Sequence, residues 1–268
     1  MNSHRPFFAL YPNLSTLDGL LSTSNSSYNS LQAKLTRRFS SGLYFLVSYT
    51  YGRAIELSEG VGENAITATV QTMAQNPQNR RADKALASFD MRHRVVFSYI
   101  YEFPFGKGKP WLKSGAASQI LGNWRVDGST SLLDGNPITV QMATSNLNTG
   151  TYQRPNRTCD GNIPNSQRTV YRFFDPSCFV APPIYTYGNA GRNILIGPNM
   201  YNWDASLQRT FPVREGMRFE FRAEYFNLFN TPQFYPPMNL VGNPDFATLT
   251  AIRSGSNRQG QMALKFIF

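Results

Sequence analysis

Nowhere in its 268 residues does the chain hold a run of about 18 apolar residues, so no segment can cross a membrane as a helix. Charge is also scarce: 16% of residues carry one, against roughly 25% in soluble domains. Histidine is nearly missing, with only His4 and His93 present. That leaves neither a His-x-x-x-His zinc pair nor a compact catalytic triad. Asp83 and Asp90 are two carboxylates where a calcium cage needs a third. Gly106-Lys107-Gly108-Lys109 lacks the spacing, and the Ser or Thr for magnesium, of a phosphate loop, and reads as a turn. No residues point to an enzyme, a metal or a cofactor. His93, between Arg92 and Arg94, is expected at a membrane interface and not as a base.

What the chain does have is aromatic residues, 14% of the total, set in long runs that alternate with period two. In Ser30–Phe39, Leu31, Ala33, Leu35 and Phe39 share one parity, with Arg37 an exception near the strand end where it can snorkel. Leu43, Phe45, Val47, Tyr49 and Tyr51 form the next apolar face. The pattern returns in Arg92–Phe103, about Asn123–Val140, Asn202–Phe211, Met217–Phe229 and Gln259–Phe268. Asp134-Gly135-Asn136-Pro137 either ends the fourth of these or bulges it. Seven strands of roughly 10 to 13 residues suit a tilted transmembrane strand of roughly 9–11 better than a soluble one of about 5–6. Arg218, Glu220, Arg222 and Glu224 alternate with Phe219, Phe221, Ala223 and Tyr225. An Arg facing lipid at mid-bilayer costs roughly 2–4 kcal/mol, so these charges are expected to face a lumen. They read as an ion-pair ladder, with a substrate relay as the alternative.

Connections alternate between short (Ser40–Gly42, Phe105–Leu121, Pro212–Gly216) and long (about 54–90, 141–201 and 230–258). Outer-membrane barrels have short periplasmic turns and long extracellular loops, and a chain ending in the periplasm puts every long loop outside. The expected fold is all-β, an open curved antiparallel sheet that is a fragment of a transmembrane β-barrel. A soluble β-sandwich that binds carbohydrate or another ligand is the alternative, although sandwiches lack so regular a rhythm of strand and loop. The net charge of +10 is dispersed along the chain, which favours lumen and loop residues over nucleic-acid contact. Met1–Pro12 has too short an apolar stretch for a secretory signal. A barrel needs export, so the chain is expected to be a fragment with its signal upstream. Residues 1–27 would be an extracellular loop remnant and 28–268 the C-terminal strands.

Several stretches carry a family resemblance. They are Arg37–Leu43 running on to Ser48-Tyr49-Thr50-Tyr51, Asp90–Arg94 leading to Phe103–Gly108, Phe174-Asp175-Pro176, Tyr187–Asn193, and Glu224–Pro232. From Tyr28 onward the chain resembles the barrel of TonB-dependent receptors, especially the Oar-like group with an N-terminal carboxypeptidase-regulatory-like domain. Such receptors have about 22 strands, so the seven here would be roughly a third of the wall. The resemblance implies a parent that takes up a scarce ligand with energy from TonB, through a plug and coupling box that this sequence does not contain. The partners implied are outer-membrane lipid, the parent's other strands and plug, and TonB through that N-terminal part.

The family resemblance also implies a last strand read by the barrel assembly machinery. Gln261, Leu264, Phe266 and Phe268 fit it, with Ala263 where the family usually has Gly; an ordinary amphipathic terminal strand is the alternative. Cys159 and Cys178 are the only cysteines and share the longest outer loop, so an oxidising compartment is expected to bridge them. Tyr152, Tyr171, Phe173, Phe174, Tyr185 and Tyr187 crowd the same loop. They could stack on a ligand or pack the loop on itself, and none is assigned to a ligand.

Overall fold

The computed structural model describes residues 9–11, 24–57, 74–147 and 152–268. Seven long strands make one sheet: β1 (Ser26–Ser40), β2 (Leu43–Glu56), β3 (His93–Glu102), β4 (Trp124–Leu133), β5 (Met200–Arg214), β6 (Met217–Phe226) and β7 (Gln259–Ile267). Neighbours follow chain order and every long pairing is antiparallel, with Ala85–Leu86 adding a short rung beside β2. Among the described residues no second sheet layer covers either face, because the other ladders are two-residue pairings. The sandwich alternative is thereby removed.

Alternation explains why these residues pair as they do. A one-residue slip would exchange the apolar and polar faces along a whole strand. Phe45–Phe97, Phe97–Tyr99, Trp124–Phe221 and Phe219–Phe266 all meet on the apolar face, with ring centroids 4.7 to 6.3 Å apart. Glycines inside strands are covered by tyrosines. A Cβ at Gly128 would stand 2.7 Å from the Tyr99 hydroxyl, one at Gly52 2.9 Å from that of Tyr28, and one at Gly260 2.9 Å from the Tyr225 ring. The ring laid over each glycine replaces the side-chain packing the glycine lacks.

Tight turns close one end of the sheet. Ser41 and Gly42 take φ of 52° and 80°, as a two-residue hairpin loop that follows the strand twist requires. Gly42 also lets the chain approach β3, since its carbonyl accepts from the Glu102 amide at 2.8 Å. The second connection at this end, between β3 and β4 and expected to be a plain turn, contains a short helix, α1 (Gly115–Leu121). The Trp124 indole N–H donates to the Ile120 carbonyl at 3.1 Å and ties that helix to β4.

Strand ends depart from the alternation where side chains capture backbone. The fourth strand stops at Leu133 instead of reaching Val140. Asp134 accepts from the His93 amide at 3.1 Å, and Pro137–Ile138 leaves to pair with Leu195–Ile196. The sixth ends at Phe226 and not Phe229, because Asn227 turns into the left-handed region (φ 47°) and its side-chain amide donates to the Thr231 and Ser256 carbonyls. The first strand starts at Ser26, and the fifth gains residues at both ends. Most of the segment 1–27 lies outside the described residues.

Among the described residues β1 and β7 each pair on one side only. In lipid every unsatisfied backbone group costs several kcal/mol, so two free edges together cost tens of kcal/mol, by roughly ten exposed groups. The 268-residue chain expressed alone is therefore expected not to give a monomeric, heat-modifiable band on gels. A sharp shift of that kind would mean that its two edges close on each other.

Candidate functional site: the polar wall and the loop cap

Every second residue of β4 to β7 builds a polar wall. Arg125 lies 3.1 Å from Asp127 and donates to the Gln208 side-chain oxygen at 2.6 Å, while Gln208 donates back to Asp127 at 3.1 Å. On β6, Arg218–Glu220 pair at 3.0 Å and Arg222–Glu224 at 3.5 Å, and Gln261 of β7 donates to Glu224 at 2.5 Å. Arg218, Glu220, Arg222 and Glu224 thus share one face, as along-strand pairs, opposite the rings of Phe219 and Phe221. These exposed pairs contribute little stability, because water screens them, and their main effect is to present both charge signs to water.

Two hollows open on this polar face. The one nearer the tight turns, about 520 Å³, is lined by Glu102, Lys109, Arg125, Gln208, Glu220 and Arg222. Lys109, of the sequence once weighed as a phosphate loop, is engaged with Glu102 at 2.6 Å. The other hollow, about 590 Å³, lies under the long connections and is lined by Ser131, Asn202, Asp204, Asn227, Gln233 and Arg253 among others. Amide, hydroxyl, carboxylate and guanidinium groups stand there beside Met200 and Phe226, so the lining is mixed, with polar groups set in largely apolar surface.

Above that end the long connections fold into a cap with its own apolar core. Ile138, Val140, Phe173, Phe174, Phe179, Leu195 and Ala247 are buried together, with Phe246 packed edge-on to Phe174 at 5.2 Å. Connections 134–199 and 227–258 both contribute, so each needs the other to bury its rings. Cys159 and Cys178 are bonded, with Cα atoms 4.9 Å apart, and Cys178 is part of this core. A closed loop of this size gains roughly 3 kcal/mol in the chain-entropy account. Of the crowded aromatics, Phe173 and Phe174 pack inside, whereas Tyr152, Tyr171, Tyr185 and Tyr187 remain exposed. The backbone N–H and hydroxyl of Ser177 both donate to Asp175, and they hold its carboxyl below the usual carboxylate range.

Buried charges fasten the cap to the wall, and sequence reasoning missed them. Arg154 is 2% exposed and pairs with Asp83 at 2.5 Å; Arg192, 3% exposed, pairs with Glu56 at the end of β2 at 3.2 Å. Arg154 also donates to the Ala190 carbonyl, and its amide donates to the Gln75 side chain at 2.5 Å. Asn193 ties connection 134–199 to the short rung beside β2 by donating to the Leu86 carbonyl, and it exchanges hydrogen bonds with Thr139. The signal was partly in view, since Arg192 and Asn193 end the Tyr187–Asn193 stretch. Gly188 of that stretch sits where a Cβ would lie 2.0 Å from the Arg154 carbonyl oxygen, so no other residue fits. Asp83 and Asp90, weighed for calcium, are spoken for: Asp90 accepts from the Ala54 amide at 2.6 Å. Among the described residues no three His, Cys, Asp or Glu side chains gather as a metal site.

A family model described as an outer membrane beta barrel domain matches residues 1–261. The chain belongs to this family. No match was found among curated proteins or solved structures. For an outer-membrane barrel wall the uncovered apolar face is the lipid face, which explains why Leu31, Leu35, Met262 and Leu264 are left more than 60% exposed on one sheet. His93 belongs to that face at the loop end, against the Tyr49 hydroxyl at 2.9 Å and the Tyr51 ring at 5.1 Å. At the opposite end Phe266 lies between Phe219, 4.7 Å away, and Phe268, 5.9 Å away. Leu264 shares their parity, and Gln261 faces the polar side.

Asp83→Asn would leave the Arg154 guanidinium buried without its counter-charge, and breaking a buried pair on one side costs about 3–5 kcal/mol. Cleavage within residues 134–199 by added protease is expected to speed up by about a hundredfold or more in that variant. Unchanged cleavage would show that the cap does not depend on the pair.

Proposed function

We propose that the chain is wall and cap of a TonB-dependent receptor that imports a scarce ligand, such as a siderophore or a glycan, across the outer membrane. The observation that carries this reading is the cap. A channel that passes solutes unselectively has no need of long outer connections folded about a private core and pinned by two buried ion pairs, one to the end of β2 and one to the neighbouring connection. A receptor does, because selecting a ligand requires rigid groups held over a hollow with a few placed polar groups. The stretches that resemble Oar-like receptors contribute to this cap through Phe174-Asp175-Pro176 and Tyr187–Asn193. In this reading the parent's other strands complete the wall beside β1 and β7, a plug fills the lumen, and TonB acts through an N-terminal part. In this reading the protein is a receptor and not an enzyme.

Deleting the gene from its host is expected to abolish growth on one limiting nutrient, and a copy supplied in trans to restore it. Uptake should also stop with a protonophore or when TonB is removed. Uptake that persists without energy would make the protein a passive channel and sink the proposal.

The assembly machinery is the partner proposed for the last strand. β7 offers a free backbone edge for strand addition, with Phe266 and Phe268 supplying side-chain specificity, together with Gln261 and Leu264. Removing Phe268, or changing Phe266→Asp, is expected to lower outer-membrane levels severalfold and leave periplasmic aggregates. Lys265→Gln, on the polar face, should change little. Normal surface levels without Phe268 would rule out a terminal signal.

A further inference from the structure

Arg209 interrupts the apolar face of β5. Leu207 and Phe211 flank it along the strand, and Trp124 and Phe221 are its register partners on β4 and β6. Its guanidinium carbon lies 4.1 Å from the Phe211 ring centroid and 5.3 Å from that of Trp124. The Nε is buried under these rings with no hydrogen-bond partner. Among the described residues no carboxylate pairs with this arginine, whereas Arg125, Arg218 and Arg222 on the opposite face all have one.

Depth determines what such a charge can do. An arginine on the lipid face costs roughly 2–4 kcal/mol at mid-bilayer but only about 0–1 near an interface. Arg209 stands opposite the first residue of β4, at the tight-turn end, in the belt of rings that includes Phe211, Phe219 and Phe266. The neighbouring connection exposes Trp111, Ile120 and Leu121 and carries Lys107 and Lys113, as a segment lying on a headgroup layer would. The one polar hydrogen of Trp124 is already given to the Ile120 carbonyl. Within the ring cluster of Trp124, Phe211 and Phe221, the guanidinium fork of Arg209 is the group left to donate outward.

We propose that Arg209 binds the phosphate of an anionic phospholipid in the periplasmic leaflet. The rings hold the guanidinium plane, its remaining N–H groups grip two phosphate oxygens, and the acyl chains lie along Leu207, Ala205 and Ala223. A zwitterionic headgroup carries an ammonium that competes for the same oxygens, so a phosphatidylglycerol-type lipid is preferred. This inference rests on the tight turns facing the periplasm and is independent of ligand uptake.

The whole protein, taken from outer membranes, can be placed in nanodiscs with equal phosphatidylglycerol and phosphatidylcholine. Native mass spectrometry after mild delipidation then counts the lipids retained. Wild type should hold phosphatidylglycerol severalfold over its bulk share. Arg209→Gln should cut that enrichment at least threefold, and Lys265→Gln, on the other face, should leave it intact. If Arg209→Gln fails to insert, Arg209→Lys takes its place and should still lower the ratio, because a single ammonium replaces the fork. No enrichment in wild type, or an unchanged ratio in the Arg209 variant measured, overturns the proposal. A negative uptake experiment would leave this result standing.

Discussion

Backbone hydrogen bonding in a medium without water is the constraint on which the rest of this structure depends. Hydrocarbon offers no partner for an amide or a carbonyl, so each must be met by a neighbouring strand. The long antiparallel ladders from β1 to β7 are the consequence. So is the alternation of side chains, because one face of a single sheet meets lipid and the other meets water. Packing in the usual sense is nearly absent from the wall, and strand register, tyrosines laid over glycines, and a belt of rings fix its shape.

The hydrophobic core lies where a soluble protein would have it, in the water-exposed part of the molecule. The cap buries Ile138, Val140, Phe173, Phe174, Phe179 and Leu195 away from solvent and behaves as a small disulfide-linked domain assembled from loops. Arg192–Glu56 attaches it to the end of β2, and Arg154–Asp83 ties it to the neighbouring connection. Arg154–Asp83 and Arg192–Glu56 are buried pairs surrounded by backbone carbonyls, and such pairs specify an arrangement better than they stabilise it. Wall and cap thus follow different rules. The wall answers to lipid through backbone and rings, whereas the cap answers to water through an apolar core and a few charges that fix its seat.

Charge placement connects the two rules to function. On the polar face the arginines of β4 and β6 are neutralised within two residues, which leaves a hydrated surface of mixed sign next to two hollows. On the lipid face of β5 the unpaired cation Arg209 sits among rings, close to the level where phosphate begins.

The sequence by itself determined the strands, their faces and the rhythm of short and long connections. Period-two alternation is a local property, and lipid on one side imposes it without reference to distant residues. It misjudged ends where a side chain captures backbone, as Asp134 does for β4 and Asn227 for β6, because those bonds depend on a partner far along the chain. It could bring Cys159 and Cys178 into one loop by counting, and it marked Tyr187–Asn193 as a distinctive stretch without a role. Only the tertiary structure decided that Arg192 reaches Glu56, that Arg154 reaches Asp83, and that two of the six crowded aromatics turn inward. Contacts between residues more than seventy positions apart have no period to read, since burial of a charge is settled by what the rest of the fold places beside it.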